Sequence, residues 1–215
     1  MIYIFDIDNT LYKGSTVRTF LPAAFREGII PRSIVFVFPY YFFLFRAGNV
    51  KASITRKRIR ALRGLSEAAM AGLAGRLFRE KIKKGLNDHV LKEIRKAKEK
   101  GAEVILATSS FRILVEPIAE YVGADAIIAS EIGFSGGIST GYLQSLPPYR
   151  EGKKARVMDH LSATGREPGD IVFYTDHHDD LPLLFAAGRS VAVNPTRKLR
   201  RIARKRHWDL LEGPD

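Results

Sequence analysis

The chain opens MIYIFDIDNTLY, residues 1–12, and its architecture can be read outward from there. Residues 1–5 are apolar, with Ile2 and Ile4 at every second position and aromatic Tyr3 and Phe5 beside them. That composition predicts a buried strand of an α/β sheet. The strand runs into Asp6-Ile7-Asp8-Asn9-Thr10. Asp6 and Asp8 are two apart, so in extended backbone both carboxylates start on one face. Such a pair repels unless a cation or a shared proton stands with it. A hard divalent ion with a substrate phosphate meets that need. The competing reading is a solvated turn, because DxDNT is also turn composition. The strand feeding the pair favours chemistry, since α/β folds hold ligands at strand ends.

The rest of the chain alternates in the same manner. A helix is predicted after Asn87-Asp88, with Val90, Leu91, Ile94 and Ala97 at helical spacing and Gly101 as its stop. Strands are expected at 103–107, 126–129, 171–174 and 190–193. Helices are expected at 111–122, 153–161 and 181–187, with a last basic helix capped by Thr196. This predicts a three-layer, Rossmann-like α/β fold: a mostly parallel sheet with helices on both faces. IGFSGGISTGYL, residues 132–143, reads as a small β-hairpin around Ser135-Gly136-Gly137, outside the sheet order. Residues 15–85 look helical throughout and interrupt the alternation after the first strand. An all-helical insertion there sits over the strand ends as a lid. The expected division is a core of residues 1–14 and 86–215 with a cap of residues 15–85.

The 215 residues suffice for a sizeable core, and 46% are hydrophobic. The absence of cysteine excludes disulfide and thiolate chemistry. With no visible signal peptide, a cytoplasmic location is expected. The net charge of +12 favours anionic partners without choosing among them. Basic residues gather at 46–63 and 197–206, each read first as a solvated helix face. The aromatic run at 34–45 is too short to span a bilayer and is broken by Pro39. It reads as lid core, with a peripheral anionic membrane contact beside the first basic cluster as the alternative. No nucleic-acid module accompanies these features, and no protein partner can be read from them.

Four sites share one structural address. Asp6 and Asp8 follow the first strand, and Thr108 and Ser109 follow the strand at 103–107. Lys153 opens a helix, while Asp176 follows the strand at 171–174 with Asp180 four further on. In a parallel sheet these strand ends meet at one edge. The set suits phosphoryl transfer. One carboxylate attacks phosphorus, and a second moves the proton. A hydroxyl, backbone amides and a lysine hold the equatorial oxygens. A third carboxylate shares Mg2+.

The pieces DIDNT at 6–10, ILATSS at 105–110, GKK at 152–154 and TDHHDD at 175–180 resemble the haloacid dehalogenase superfamily. LVEPIA at 114–119 and VAVNPTRKLRRIA at 191–203 point to its phosphoserine-phosphatase-like branch with a helical cap. The resemblance implies that Asp6 is the nucleophile and Asp8 the general acid/base, with the Asp8 backbone carbonyl on the metal. It implies phosphate binding by Thr108, Ser109 and Lys153, and Mg2+ held by Asp6, Asp8 and Asp176. Asp180 and Thr10 would support the site. The substrate would be a small phosphorylated metabolite. Two departures stand out. Thr175 occupies the place of a usual glycine, and His177 and His178 replace small residues. Their adjacent side chains are expected to diverge and to play a structural part. The branch also carries an acid where Ser15 stands here, which argues against phosphoserine as substrate. The alternatives are a lipid-phosphate phosphatase, a phosphotransferase, a non-catalytic phosphate-binding module and, from Asp176-His177-His178, a DHH-type phosphodiesterase acting on nucleic acid with Mn2+.

Overall fold

The structure is a computed structural model that describes residues 1–31 and 62–213. The aromatic run at 34–45, and all of the first basic cluster except Arg63, lie outside those residues. The described elements are β1 (Ile2–Phe5), α1 (Thr16–Arg26), α2 (Glu67–Leu77), α3 (Asp88–Glu99), β2 (Glu103–Phe111), α4 (Arg112–Val122), β3 (Ala126–Ser130), β4 (Ile132–Ser135), β5 (Ile138–Leu143), α5 (Glu151–Thr164), β6 (Ile171–Thr175), α6 (Leu181–Leu184), β7 (Arg189–Val193), α7 (Arg197–Arg206) and β8 (Asp209–Leu211).

Six strands form one sheet in the order β3-β2-β1-β6-β7-β8, and every pairing is parallel. The alternation in β1 assigns its faces. Tyr3 and Phe5 point into a cluster with Phe20, Met70, Leu73, Val90, Ile94 and Val115, from α1 to α4. Ile2 and Ile4 point the other way, to Val157, Leu161, Leu183, Leu199 and Ala203 of α5, α6 and α7. Both faces are covered, so β1 is buried at every position, as a central parallel strand requires. The separate antiparallel pair β4–β5 is the expected hairpin. It is fastened to the segment entering α2: Gly64 N–H donates to Ser139 O, and Ser139 N–H to Leu65 O.

Several boundaries differ from expectation. β2 continues to Phe111, with a register shift against β3 between Ala107 and Phe111. Thr108 and Ser109 therefore lie within the strand, in an irregularity that re-aims side chains. α5 begins at Glu151, so Lys153 is its third residue. Gly152 is what lets that helix start lie under the preceding loop. A Cβ there would stand 2.4 Å from Pro147 O. β8 was not anticipated, because three half-exposed residues carry too little pattern. Thr196 precedes α7, but its side chain makes no capping bond. Between residues 62 and 85, α2 gives way to a π-turn, Phe78–Ile82, and a 3-10 turn, Lys83–Gly85. The helical reading holds there only with that irregularity. Among the described residues no helix is long and apolar enough to cross a membrane.

Candidate active site

Register brings the chemistry together. Phe5 lies opposite Leu106 on one side and Tyr174 on the other. The next residues of all three strands therefore emerge at one sheet edge, and the Asp6 amide continues the ladder by donating to Tyr174 O at 2.9 Å. Beyond Asp6 the chain folds back sharply. Thr10 N–H and Tyr12 N–H both donate to Ile7 O, at 3.2 and 2.9 Å, and Asn9 takes a left-handed φ of 60°. Asparagine tolerates that region better than most residues. Asn87, which caps α3, donates from its side chain to Thr10 O at 3.2 Å and ties the loop to the sheet.

Asp6 is buried, and its Oδ1 accepts from Lys153 Nζ at 2.8 Å. The same Nζ donates to Asp180 Oδ2, also at 2.8 Å. Thr10 Oγ1 stands 3.4 Å from Asp6 Oδ2 and 3.2 Å from Asp176 Oδ1, and it accepts from the Asp176 amide at 2.9 Å. One hydroxyl thus bridges two carboxylates from β1 and β6. Both oxygens of Asp8 are engaged: Oδ1 by Thr16 N–H and Oδ2 by Ser110 Oγ–H, each at 2.7 Å. A cavity of about 150 Å³ is lined by Asp6, Asp8, Asn9, Thr108, Ser109, Lys153 and Asp176, with Pro148, Tyr149, His177, Asp179 and Asp180. Every residue expected at the site except Thr10 lines it, and Thr10 lies just behind. A larger groove between α2 and α4 is lined by none of these residues and gathers no comparable set of groups.

Burial raises the Asp6 carboxyl to about 8; Lys153 opposes the rise, while Asp180 and Asp176 add to it. Asp176 is pushed up to about 7, first by burial and then by Asp180. Burial pulls Lys153 downward, but Asp180 and Asp6 outweigh it, so its ammonium is held well above the usual range. The cluster therefore has one firmly charged cation and more carboxylate than that cation neutralises. A divalent ion completes such a set, and the oxygen-only donors of Asp6 and Asp176 fit Mg2+. With its side-chain oxygens taken, Asp8 has its backbone carbonyl left to offer.

Three residues of the site were not anticipated. Ser110 and Thr16 hold the Asp8 carboxylate, and their own hydroxyls meet at 2.7 Å. The signal available was the TSS run itself, since in a strand Thr108 and Ser110 share a face. Thr175, at the place of a usual glycine, donates to Asp180 Oδ2 at 2.6 Å. It thereby fixes the carboxylate that holds Lys153. The two histidines do not diverge, because their ring centroids are 4.2 Å apart. His178 is shifted to a lower pKa by burial and by His177.

Comparison with known proteins points to one family. The family profile of haloacid dehalogenase-like hydrolases matches residues 3–184. The chain is 28% identical over 214 residues to the Inhibition of morphological differentiation protein of Streptomyces azureus, covering 97% of this chain and 76% of that one. It is 27% identical over 216 residues to Phosphoserine phosphatase SerB1 of Mycobacterium tuberculosis, covering 96% and 68%. A crystal structure of a protein of unknown function from Bordetella pertussis Tohama I superposes with a TM-score of 0.86 at 26% identity, covering 98% of this chain and 97% of that one.

Proposed function

The chain belongs to the haloacid dehalogenase-like hydrolases, and from that premise we propose that it hydrolyses small phosphomonoesters through a phosphoaspartyl intermediate on Asp6. The observation that carries this reading is the convergence of Asp6, Asp8, Asp176, Thr108 and Lys153 on one cavity at the ends of β1, β2, β6 and the start of α5. The DHH reading of Asp176-His177-His178 falls with the family match.

Asp6 attacks phosphorus, and Lys153 and the Thr108 hydroxyl hold the phosphoryl oxygens. Asp8 gives a proton to the leaving oxygen and then takes one from the attacking water. Asp6, Asp176 and the Asp8 carbonyl would hold Mg2+, which when bound would offset the negative charge shared by carboxylates and phosphate. Asp180 acts through Lys153. We assign residues 15–85 as the cap and residues 1–14 with 86–215 as the core; the cap reads the leaving group. Ser15 supports a substrate other than phosphoserine. It caps α1, with its hydroxyl accepting from Arg18 N–H, and offers no charge to a substrate amine.

The test is a panel of phosphomonoesters with Mg2+ and with EDTA. Turnover should require the metal. Asp6 and Asp176 must ionise before a cation binds, and binding releases their protons. Both sit above the ordinary carboxylate range, at about 8 and 7. The Mg2+ concentration for half-activity should therefore fall with rising pH, by up to roughly tenfold per unit for each proton displaced. Full turnover in metal-free enzyme would refute the reading.

Ser110→Ala tests the acid/base assignment. It frees one oxygen of Asp8 and should lower kcat/KM, which excludes the shared hydrolysis of the phosphoenzyme, roughly tenfold on alkyl phosphates, whose leaving groups need a proton. On 4-nitrophenyl phosphate, which departs without one, the loss should be small. Equal losses on both substrates would remove Ser110 from the positioning of Asp8.

A further inference from the structure

The mouth of the cavity gathers donors that the phosphatase reading leaves unused. His177 and Asp179 line it, and His178 packs against His177. One ligating atom from each of the three lies within 4.8 Å of the other two. His177 Nδ1 accepts the Asp179 amide at 3.2 Å and stands 3.3 Å from Asp179 Oδ2. A ring nitrogen that accepts a hydrogen bond carries no proton; its single lone pair is given to the Asp179 amide here, and an ion between Nδ1 and Oδ2 would take the place of that bond. Their spacing suits a cation. Two ligands about 2.0–2.1 Å from a tetrahedral ion stand roughly 3.3 Å apart.

Two further observations point the same way. His178 Nδ1 is buried and has no hydrogen-bond partner among the described residues, a cost that native structures seldom leave uncompensated. Asp179 is held from outside. Arg150 Nε and Nη2 both reach its Oδ1, at 3.0 and 2.9 Å, and Tyr149 donates to Oδ2 at 2.9 Å. Outer partners of this kind orient a ligating carboxylate, while the Arg150 charge limits affinity for a cation. The donors also differ from those of the Asp6–Asp176 cluster. Two imidazoles and a carboxylate select zinc-like ions, whereas oxygen alone suits Mg2+.

We propose that His177, His178 and Asp179 form a second cation site, for a divalent ion of the Zn2+ or Co2+ class, at the entrance to the cavity. Three protein donors leave a coordination position open, and the ion would stand beside the path of an entering phosphate.

The test is read by binding, so its failure is separate from any failure of the phosphatase reading. The metal-stripped full chain, in millimolar excess of Mg2+, is titrated with Zn2+ by calorimetry and with Co2+ by visible absorption. One equivalent of Zn2+ should bind, and Co2+ should give the absorption bands of an imidazole-bearing site. His178→Asn should weaken both by about tenfold or more, with the fold checked by circular dichroism. Asp179→Asn should do the same and serves if His178→Asn does not fold. Asp176→Asn, which dismantles the carboxylate cluster, should leave zinc binding in place. No zinc binding by the wild-type chain in excess Mg2+ would overturn the proposal. So would loss of binding in Asp176→Asn with unchanged affinity in His178→Asn.

Discussion

Asp6→Asn is expected to lower kcat by about four orders of magnitude or more, the scale seen when a covalent nucleophile is removed. The carboxamide is nearly isosteric and still fits beside Lys153, so the protein should fold. It cannot form an acyl phosphate. Removing one buried acid also lessens the crowding with Asp176 and Asp180, and the metal-free variant should be at least as stable as the wild type at pH 8. Loss of activity with retained or raised stability separates a chemical role from a structural one. Asp8→Asn should behave differently. Its neighbours Thr16 and Ser110 remain, and Asp6 can still attack. Slow phosphorylation by 4-nitrophenyl phosphate should persist while hydrolysis stalls, because no base activates water. Rapid-quench measurement of the burst and of steady turnover distinguishes the two variants.

Lys153→Met should have the second-largest effect, on stability as well as rate. Lys153 is the cation bonded to Asp6 and Asp180, and it is only 3% exposed. Breaking a buried ion pair from one side typically costs about 3–5 kcal/mol, because the remaining charge keeps no partner. The sign with pH follows from the carboxylates. Asp6 and Asp176 already have folded-state values above the ordinary one, and removing the ammonium raises Asp6 further. A carboxyl with a raised folded pKa supports the fold fully below its unfolded value and loses that support as pH rises through the folded value. The variant's deficit should therefore stay level below about pH 7, where these carboxyls are protonated in both folded proteins, and widen above about pH 8, where only the wild-type carboxyls ionise. Denaturant melts at about pH 6 and about pH 10 check this. Turnover should drop roughly 10²- to 10³-fold with loss of the phosphate's cation. A stability deficit that is constant with pH would mean that Lys153 matters for packing rather than charge.

Much of the fold is legible in the chain because the parallel strands are short apolar runs and the residues after them are polar. Register then carries Asp6, Thr108 and Asp176 to one edge with no long-range information beyond strand order. What was not legible has local causes. β2 outruns its apolar stretch because Thr108-Ser109-Ser110 continues the strand through an irregularity, and hydroxyl residues resemble a loop. Lys153 looks like a helix start only because Glu151 and Gly152 carry no apolar signal. Ser110 acts through a hydrogen bond to Asp8, far away in sequence, and Thr175 through one to Asp180 across the turn that follows β6, and neither has a spacing that reveals it. The histidines were expected to diverge, as neighbours do in extended backbone. The 3-10 turn at His178–Asp180 breaks that geometry and brings their rings together. β8 is three residues long and is joined to β7 by backbone pairing and one exposed ion pair, Arg189–Asp209, so its side chains leave little trace of it.

The central claim is that phosphate passes through the Asp6 carboxylate. The direct measurement is acid quenching of the Mg2+-loaded enzyme during turnover of a phosphomonoester, followed by digestion and mass spectrometry. The account expects one phosphoryl group on the peptide containing Asp6, released by hydroxylamine and missing in Asp6→Asn. Phosphate found instead on Ser109 or His177, or steady turnover by Asp6→Asn, would contradict it.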